Sequence, residues 1–453
     1  MGKITLRQAA DWCGGWVDPK YENLTFFGAN NDTRKLQPGE LFVALKALRD
    51  GHDFIGMAFE KGAAAVLCSR CDGDYPAIVV PDTRIALGDI ARHERQRLGF
   101  RVVGITGSVG KSTTKEMIAC VLDGSYTVSK TPANHNNDIG MPMAVLSMEE
   151  GTQVAVLEMG MNHFREIAYL AGIAKPDVAV IINIGTMHIE HLGSQEGILK
   201  AKLEILEGMG PDGKVLLNGD DRLLWNYGKT AQVPITYFGA NNIECSVRAK
   251  KITEEDGCLR MTVEHENGKF PLSLPLEGVH YVPDAMAAVA VGLAMGVTPA
   301  QIAERLASFQ NMEGRQELLQ ARGCTIIKDC YNAGPESMAA ALTVLGNRPG
   351  RHVAVLGDML ELGTSTQAEH YRVGRIAAEK AQVLLAYGPN ADRIISGAIT
   401  GGMSPAAAKT YPSHEAMAAA LKRLARQGDV ILFKGSHGMH MERVLELFLK
   451  EDR

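Results

Sequence analysis

Residues 104–117, GITGSVGKSTTKEM, decide the fold class of this chain. The run VVGIT (102–106) predicts a buried strand, GSVG (107–110) predicts a turn, and KSTTKEMIACVL (111–122) predicts an amphipathic helix. Such a turn presents unpaired backbone N–H groups and the positive end of the helix to phosphate. The usual phosphate loop has a glycine, four residues and then Gly-Lys-Ser/Thr, but Ile105 occupies the first of these positions. The context predicts a phosphate-binding loop with shifted glycines, and a purely structural turn is the alternative.

The residue types in this loop suit a nucleotide triphosphate. Gly107 and Gly110 allow a phosphate group to approach the backbone closely. The side chain of Lys111 can reach the β- and γ-phosphates, and the hydroxyl of Ser112 can bind Mg²⁺. We therefore expect ATP with Mg²⁺ at this turn.

Similar apolar runs continue on both sides of the loop and define the fold class. VAVLE and VAVIINI follow in the middle of the chain, and CTIIKD, HVAVLGD, VLLAYG and VILFKG follow after residue 323. Continuous apolar runs that alternate with helical patterns predict parallel sheets. We expect an α/β protein with a small N-terminal α/β domain (1–100), a central phosphate-loop domain with a parallel sheet (101–318) and a Rossmann-like C-terminal domain (319–453). The interval 230–280 is more alternating and suggests antiparallel strands.

Composition excludes several classes of function. The 453 residues include 47 basic and 52 acidic side chains, for a net charge of −5, so no electrostatic footprint for nucleic acid is expected. The longest apolar run, AMAAVAVGLAMGV (285–297), is too short to span a bilayer and predicts a buried helix. The N-terminal segment has no apolar signal core, and the eight cysteines are irregularly spaced. We expect a cytoplasmic protein without membrane insertion.

Two polar residues follow predicted strands of the central sheet. Glu158 ends VAVLE, and His188 follows VAVIINI in the turn TMHIEHLGS. Ligands of a bound Mg²⁺–phosphate group belong at the carboxyl ends of neighbouring parallel strands. The alternatives are a solvated carboxylate and a structural loop histidine, or a zinc pair formed by His188 and His191. A separate CxxC, Cys68 and Cys71, has no second pair of ligands nearby and does not favour a metal.

Taken together, these and several further stretches resemble the Mur ligases of peptidoglycan synthesis. The resemblance covers nearly the whole chain and rests on DTRKLQPGELFVALKALRDGHDF (32–54), GITGSVGKSTTKE, NNDIGMP (136–142), LEMGMNHFREI, NIGTMHIEHLGS, AKLEI, KDCYNAGPESM, LGDMLELG and FKGSHGMHMERV. LGDMLELG and KGS are most similar to the members that join D-alanyl-D-alanine to UDP-N-acetylmuramoyl-tripeptide.

The resemblance implies ATP-dependent amide synthesis with two Mg²⁺ sites, and we expect the protein to be a monomer. The tripeptide carboxylate attacks the γ-phosphate to give an acyl phosphate, and the amino group of D-Ala-D-Ala then displaces phosphate. No covalent enzyme intermediate is needed, because catalysis consists of positioning and charge neutralisation.

The resemblance also implies roles for residues of this sequence. Lys202 matches a lysine that relatives carry as a carbamate, although it could instead be a helix-face lysine paired with Glu204 or Glu207. Arg315 matches an arginine that reaches the ATP phosphates across the domain cleft. The implied metal ligands are Ser112, Glu158, His188 and Lys202, and the implied catalytic residues are Lys111, His188, Lys202 and Arg315. The implied nucleotide contacts are Gly107, Ser108, Val109, Gly110, Lys111, Ser112, Thr113, Tyr281, Asp284, Arg315, Asp329 and Asn332. The implied substrate contacts are Thr33, Arg34, Asn136, Asn137, Lys434 and Ser436.

One stretch departs from the family pattern. The adenine signature His-Asn-x-x-Asn-Ala is HYVPDA here, with Tyr281 and Asp284 in place of the two asparagines. An ionised Asp284 can only accept hydrogen bonds, whereas an amide also donates. We therefore expect altered adenine recognition with an intact phosphate site.

Three rival functions stay open at this point. A sister ligase would use the same ATP chemistry on another acceptor, but the Asp-Asn-Pro-Arg stretch of relatives that add diaminopimelate is absent from the sequence. A phosphate-loop ATPase switch would release phosphate without an amine acceptor. A catalytically impaired member acting as a binding module is disfavoured by Lys111, Glu158, His188 and Lys202.

Overall fold

The computed structural model describes residues 3–132 and 135–450 and contains three α/β domains. The N-terminal domain has a five-stranded sheet in the order β2-β7-β6-β5-β4, parallel except for β2. Strands β1 and β3 form a separate two-stranded antiparallel sheet in the same domain. Its elements are β1 (Ile4–Thr5), α1 (Leu6–Cys13), β2 (Trp16–Val17), β3 (Thr25–Phe26), β4 (Ala29–Asn30), β5 (Leu41–Val43), α2 (Ile55–Glu60), β6 (Ala65–Cys68), β7 (Ala77–Val79) and α3 (Thr83–Leu98).

The central domain is built on a nine-stranded sheet. Its strand order is β16-β15-β14-β13-β12-β11-β8-β10-β9, parallel from β9 to β14 and antiparallel from β14 to β16. Its elements are β8 (Arg101–Thr106), α4 (Lys111–Leu122), β9 (Val128–Lys130), α5 (Gly140–Leu146), β10 (Val154–Glu158), α6 (Glu166–Ala174), β11 (Val178–Ile181), α7 (Ile189–Leu192), α8 (Gln195–Leu203), β12 (Lys214–Asn218), α9 (Arg222–Gly228), β13 (Ile235–Gly239), β14 (Val247–Glu255), β15 (Cys258–His265), β16 (Gly268–Leu274), α10 (Val282–Ala294) and α11 (Pro299–Ala307).

The C-terminal domain has a six-stranded sheet in the order β17-β18-β22-β19-β20-β21. All strands are parallel except β17, which pairs antiparallel with β18. Its elements are β17 (Glu317–Ala321), β18 (Cys324–Asp329), α12 (Pro335–Asn347), β19 (His352–Gly357), α13 (Thr366–Lys380), β20 (Val383–Tyr387), α14 (Ala391–Thr400), β21 (Ala408–Tyr411), α15 (His414–Leu424), β22 (Val430–Lys434) and α16 (Met441–Leu449).

The predicted α/β class with parallel sheets is confirmed. In the interval 230–280, β14, β15 and β16 are antiparallel as expected, whereas β13 is parallel to both of its neighbours. The 285–297 run lies in and just after α10, where Ala285 to Gly292 are all buried. The division at residues 100/101 and 318/319 stays a proposal; the second division falls inside β17. Within the described part of the chain, no helix combines the length and the apolar character needed to cross a bilayer.

The central sheet brings the functional loops together. Strands β8, β10 and β11 are almost entirely buried because helices cover both faces of the sheet. Glu158 pairs in register with Ile105, and Ile181 pairs with Thr106, so the three strands end side by side. The phosphate loop, the Glu158 segment and the turn after β11 therefore meet at one edge of the sheet.

Candidate active site

The loop between β8 and α4 is held by an asparagine from the next strand end. The backbone N–H groups of Ser108 and Val109 donate to Asn183 Oδ1 at 2.9 and 3.0 Å, and Asn183 Nδ2 donates to the Val109 carbonyl at 3.0 Å. Gly110 caps α4 with a φ of 85°, a left-handed conformation that favours glycine. Asn183 was not among the predicted site residues, although a lone polar residue in the apolar run VAVIINI is a signal.

Lys111 lies over the phosphate loop. Its Nζ donates to the Gly107 carbonyl at 2.9 Å and the Ser108 carbonyl at 3.3 Å. Burial lowers the pKa of the Lys111 ammonium, the Glu158 carboxylate opposes this shift, and the Arg315 guanidinium adds to it. The ammonium is therefore held by weak backbone acceptors that a phosphate group can replace.

Ser112 is the centre of a polar network that joins three segments. Its hydroxyl donates to Glu158 Oε2 at 2.8 Å and accepts from Arg315 Nη2 at 3.0 Å. Asn136 Nδ2 donates to Glu158 Oε1 at 2.8 Å. Ser112 and Glu158 are 3% and 2% exposed, so this oxygen-rich cluster is shielded from bulk water.

Arg315 is placed by an aromatic ring of the C-terminal domain. Its guanidinium carbon lies 4.2 Å from the centre of the Tyr331 ring. Its Nε is buried and finds no hydrogen-bond partner in residues 3–132 and 135–450. A stacked guanidinium with a spare donor can bind a further phosphate oxygen.

His188 begins α7 in a left-handed conformation, with a φ of 63°. Its Nδ1 lies 3.1 Å from Glu361 Oε2 of the C-terminal domain, within ion-pair distance but outside hydrogen-bond geometry. The neighbouring His188 lowers the pKa of the Glu361 carboxyl. His191, the alternative zinc partner, instead has its ring centre 4.5 Å from that of His163.

Lys202 lies on α8 and is 2% exposed. Across the described ranges its ammonium forms neither a hydrogen bond nor an ion pair, so the alternative pairing with Glu204 or Glu207 does not occur. Burial lowers the pKa of Lys202 well below its ordinary value, and the charge of Lys111 lowers it further. Burial and the neighbouring positive charge therefore both favour the uncharged, nucleophilic form of the amine.

Asp284 lies against the phosphate loop. Thr114 Oγ1 donates to Asp284 Oδ1 at 2.8 Å, and burial raises the pKa of the carboxyl to about 7. Above pH 7 the carboxyl of Asp284 is mostly ionised and can only accept hydrogen bonds, as expected from the sequence. Below pH 7 the protonated carboxyl can also donate one.

Tyr281 is buried beside Asp284 and accepts a hydrogen bond from Asn311 Nδ2 at 3.1 Å. Burial raises the pKa of Tyr281 and lowers that of the adjacent His280 to about 4.

The C-terminal residues form a second network opposite the loop. Lys434 Nζ donates to Asp329 Oδ2 at 2.7 Å and to the Asn332 carbonyl at 3.0 Å. Ser436 Oγ donates to the Ala333 carbonyl at 3.1 Å and accepts from the Leu360 N–H at 2.9 Å. Lys434 thus faces the cavity, while the hydroxyl of Ser436 braces two loops.

Most of the predicted residues line one cavity of about 520 Å³ between the central and C-terminal domains. Fifteen of them do so: Ser108, Val109, Gly110, Lys111, Ser112, Thr113, Asn136, Glu158, His188, Tyr281, Asp284, Arg315, Asp329, Asn332 and Lys434. Within the described residues, six do not line it: Thr33, Arg34, Gly107, Asn137, Lys202 and Ser436.

Three of these six residues have local partners. Arg34 forms an ion pair with Asp32, whose pKa it lowers to about 2. Thr33 Oγ1 lies 3.4 Å from Met57 Sδ. Asn137 Oδ1 accepts from the Gly140 N–H at 2.8 Å, at the start of α5.

No group of three or more His, Cys, Asp or Glu side chains is arranged to hold a metal ion in residues 3–132 and 135–450. The predicted metal ligands are instead of mixed type. Two of them, Ser112 and Glu158, are already in contact with each other.

Comparison with known proteins assigns the chain to a family. A model described as the Mur ligase middle domain matches residues 105–292, and one described as the Mur ligase glutamate ligase domain matches residues 314–437. The UDP-N-acetylmuramoyl-tripeptide–D-alanyl-D-alanine ligase of Bacillus subtilis is 39% identical, and that of Escherichia coli is 36% identical, each over 98% of both chains.

Solved structures agree with this assignment. MurF from Acinetobacter baumannii superposes with a TM-score of 0.90 at 31% identity and covers 100% of both chains. MurF from Thermotoga maritima, in complex with ADP, has a TM-score of 0.83 at 30% identity and covers 94% of this chain and 97% of its own. The chain belongs to the Mur ligase family.

Proposed function

We propose that this ligase uses ATP to join D-alanyl-D-alanine to UDP-N-acetylmuramoyl-tripeptide through an acyl phosphate, for peptidoglycan synthesis. The observation that carries the proposal is the double contact of Ser112, whose hydroxyl touches both Glu158 and Arg315. A hydroxyl, a buried carboxylate and a guanidinium beside a phosphate loop suit a metal-bound triphosphate.

The phosphate loop supplies most of the triphosphate contacts in this proposal. The backbone from Gly107 to Thr113 surrounds the phosphates, and Lys111 exchanges its carbonyl partners for phosphate oxygens. Arg315 neutralises the charge that develops on the transferring group, because its buried Nε has a donor to spare. Tyr281, Asp284, Asp329 and Asn332 contact the nucleoside end.

The chain's oxygen ligands fit Mg²⁺. Ser112 Oγ and Glu158 Oε2 are buried and 2.8 Å apart, so they can bind one ion together. His188, whose ring nitrogen lacks a hydrogen bond among the described residues, contributes to a second site. When bound, such ions would supply positive charge that neutralises the phosphate oxygens.

Lys202 is proposed to be carbamylated. Its amine is buried and forms no hydrogen bond or ion pair among the described residues, and reaction with CO₂ would release a proton and convert it to a carbamate with two oxygen ligands. That change removes the repulsion between Lys202 and Lys111. A carbamate also adds to the oxygen ligands that Mg²⁺ prefers.

The substrates are assigned to the three proposed domains. Thr33 and Arg34 of residues 1–100 contact the UDP group, and Asn136 and Asn137 contact the sugar-peptide. Residues 319–453 bind D-Ala-D-Ala, with Lys434 facing its carboxylate and Ser436 supporting the loop.

We also propose that the protein is cytoplasmic, because all eight cysteines are unpaired, as is typical of a reducing compartment. We propose in addition that it is a monomer, which sedimentation tests.

The chemistry consists of two displacements. A tripeptide carboxylate oxygen attacks the γ-phosphorus, and the bond from phosphorus to the bridging oxygen breaks with release of ADP. The D-Ala-D-Ala ammonium then loses one proton and its nitrogen attacks the acyl carbon. The bond from carbon to the phosphate oxygen breaks, and the nitrogen gives its second proton to the departing phosphate. Exclusion of water from the cavity during the reaction would protect the acyl phosphate from hydrolysis.

A coupled phosphate-release assay tests the proposal. Release is expected only with ATP, UDP-N-acetylmuramoyl-tripeptide and D-Ala-D-Ala together, and ¹⁸O from the tripeptide carboxylate must appear in the phosphate. Lys111→Ala should abolish turnover while its circular dichroism spectrum stays that of the wild type. Release without the dipeptide would favour an ATPase switch, and release with another amine only would favour a sister ligase.

A further inference from the structure

Glu336 is a carboxylate of the nucleotide cavity that the proposed mechanism does not use. It lies in the first turn of α12 in the C-terminal domain, and its side chain crosses to the central domain. There Thr186 Oγ1 donates to Glu336 Oε1 at 3.1 Å. A Cβ built on Gly185 would lie 3.6 Å from Glu336 Cδ and 3.0 Å from Ser108 Cβ. The carboxyl group therefore lies where the phosphate loop meets the C-terminal domain.

The second oxygen of this carboxylate has no partner. Glu336 Oε2 is buried and accepts no hydrogen bond from residues 3–132 and 135–450, and none of the ion pairs in those ranges includes Glu336. A buried, unpaired carboxylate oxygen is costly. A triphosphate bound at Ser108 would add repulsion between like charges. A cation with N–H donors between the carboxylate and the phosphates would relieve both costs.

The reaction brings such a cation to the cavity. D-Ala-D-Ala carries a primary ammonium with three donors, and its nitrogen must reach the acyl carbon next to the transferred phosphate. Lys434 cannot hold this group, because it is itself a cation and is bound to Asp329. Its charge suits the carboxylate at the other end of the dipeptide instead.

We propose that Glu336 binds the ammonium of the incoming D-Ala-D-Ala through Oε2, while Thr186 orients the carboxylate through Oε1. This inference rests on the proposed function and assigns the acceptor amine to a specific residue. Glu336 thereby selects an amine acceptor and places its nitrogen beside the phosphate loop.

Steady-state kinetics of Glu336→Gln test the assignment. The KM for D-Ala-D-Ala should rise at least tenfold, while the KM values for ATP and the UDP-tripeptide stay within twofold of wild type. Glu336→Asp keeps the charge and should recover part of the loss. Thr186→Val, which leaves Glu336 in place, should raise the same KM by a smaller factor. Glu379→Gln, a change of an exposed acid on α13 of the same domain, should match wild type.

A substrate analogue isolates the charge. D-Lactoyl-D-alanine has a neutral hydroxyl in place of the ammonium and is titrated as a competitor of D-Ala-D-Ala. The inhibition constant of this analogue should change less than twofold in Glu336→Gln. Because the KM for D-Ala-D-Ala rises at least tenfold, the variant should lose the same factor in its preference for the dipeptide over the analogue. An equal loss for both compounds would indicate a general packing defect and would overturn the proposal.

The assays separate this inference from the function on which it rests. If the wild type does not ligate D-Ala-D-Ala, the proposed function fails and the inference fails with it. If the wild type ligates normally but Glu336→Gln keeps its KM for D-Ala-D-Ala, only the inference fails. A rise in the Mg²⁺ concentration needed for half-maximal rate, with an unchanged KM for the dipeptide, would reassign Glu336 to a metal and also overturn it.

Discussion

The hydroxyl of Thr114 donates a hydrogen bond to Asp284 Oδ1 at 2.8 Å and so links the phosphate-loop helix to α10. Asp284 is 5% exposed, and burial raises the pKa of its carboxyl from 3.8 to about 7. Near neutral pH the protonated and ionised forms are both populated. The protonated form can donate and accept like the asparagine of the family pattern, which reconciles this departure with a functional nucleotide site.

Asp284→Asn should change how stability depends on pH. Because the folded protein binds the carboxyl proton more tightly than the unfolded chain, the stability contributed by this group is greatest below about pH 4. It falls by about 1.4 kcal/mol per pH unit up to pH 7 and is constant above that. Denaturant unfolding of both proteins from pH 4.5 to 8 should show the free energy of unfolding of the variant rising relative to that of the wild type until pH 7. Parallel stability curves would contradict the raised pKa.

Gly110→Ala should damage the phosphate loop. The φ of 85° is strained for alanine, at a cost of about 1–2 kcal/mol, and the new Cβ would collide with Asp284 Oδ1. Nucleotide titration should show at least a tenfold loss of ATP affinity. Gly99→Ala is the matched control, because Gly99 has a φ of 67° with no atom within 4 Å of a built Cβ. It should lose stability but keep ATP affinity.

Arg315→Lys should lower kcat/KM for ATP by about 10–100-fold, as expected for losing charge-assisted hydrogen bonds of roughly 1.5–3 kcal/mol. A lysine retains the charge but loses the planar stack on Tyr331 and the paired donors. The comparison is Arg322→Lys, which alters an exposed arginine stacked 5.4 Å from the centre of the Phe448 ring. The kinetics of Arg322→Lys should match wild type. If Arg315→Lys were as active as wild type, Arg315 would not be a phosphate-binding residue.

The fold was largely predictable because its strands are buried on both faces. VAVLE, VAVIINI and VILFKG are continuous apolar runs, and each contains a strand of a parallel sheet. The site at the strand ends follows from that topology, so Glu158 and His188 could be assigned to one cavity. The sequence also distinguished the antiparallel strands β14, β15 and β16, because apolar and polar residues alternate there instead of forming a continuous apolar run.

Contacts between distant segments were not predictable in the same way. Asn183 holds the phosphate loop through hydrogen bonds to residues 74 and 75 positions away, and no local pattern encodes that pairing. Glu336 becomes notable only when α12 is placed against Thr186. The ionisation of Asp284 depends on burial, whereas residue type alone suggested a charged acceptor. Packing decides these three features.

Lys202→Ala should abolish ligation if the lysine works as a carbamate, because its helix position would then supply no metal ligand. Short carboxylic acids such as formate or acetate should partly restore the rate, since they provide the missing oxygens. Lys200→Ala, a change of an exposed lysine one half-turn away, should be active without additives and insensitive to them. Gentle intact-mass analysis of the wild type in bicarbonate should show the addition of one CO₂, which Lys202→Ala should lack. Absence of both the rescue and the added mass would contradict the carbamate and leave Lys202 as a buried, unmodified amine beside Lys111.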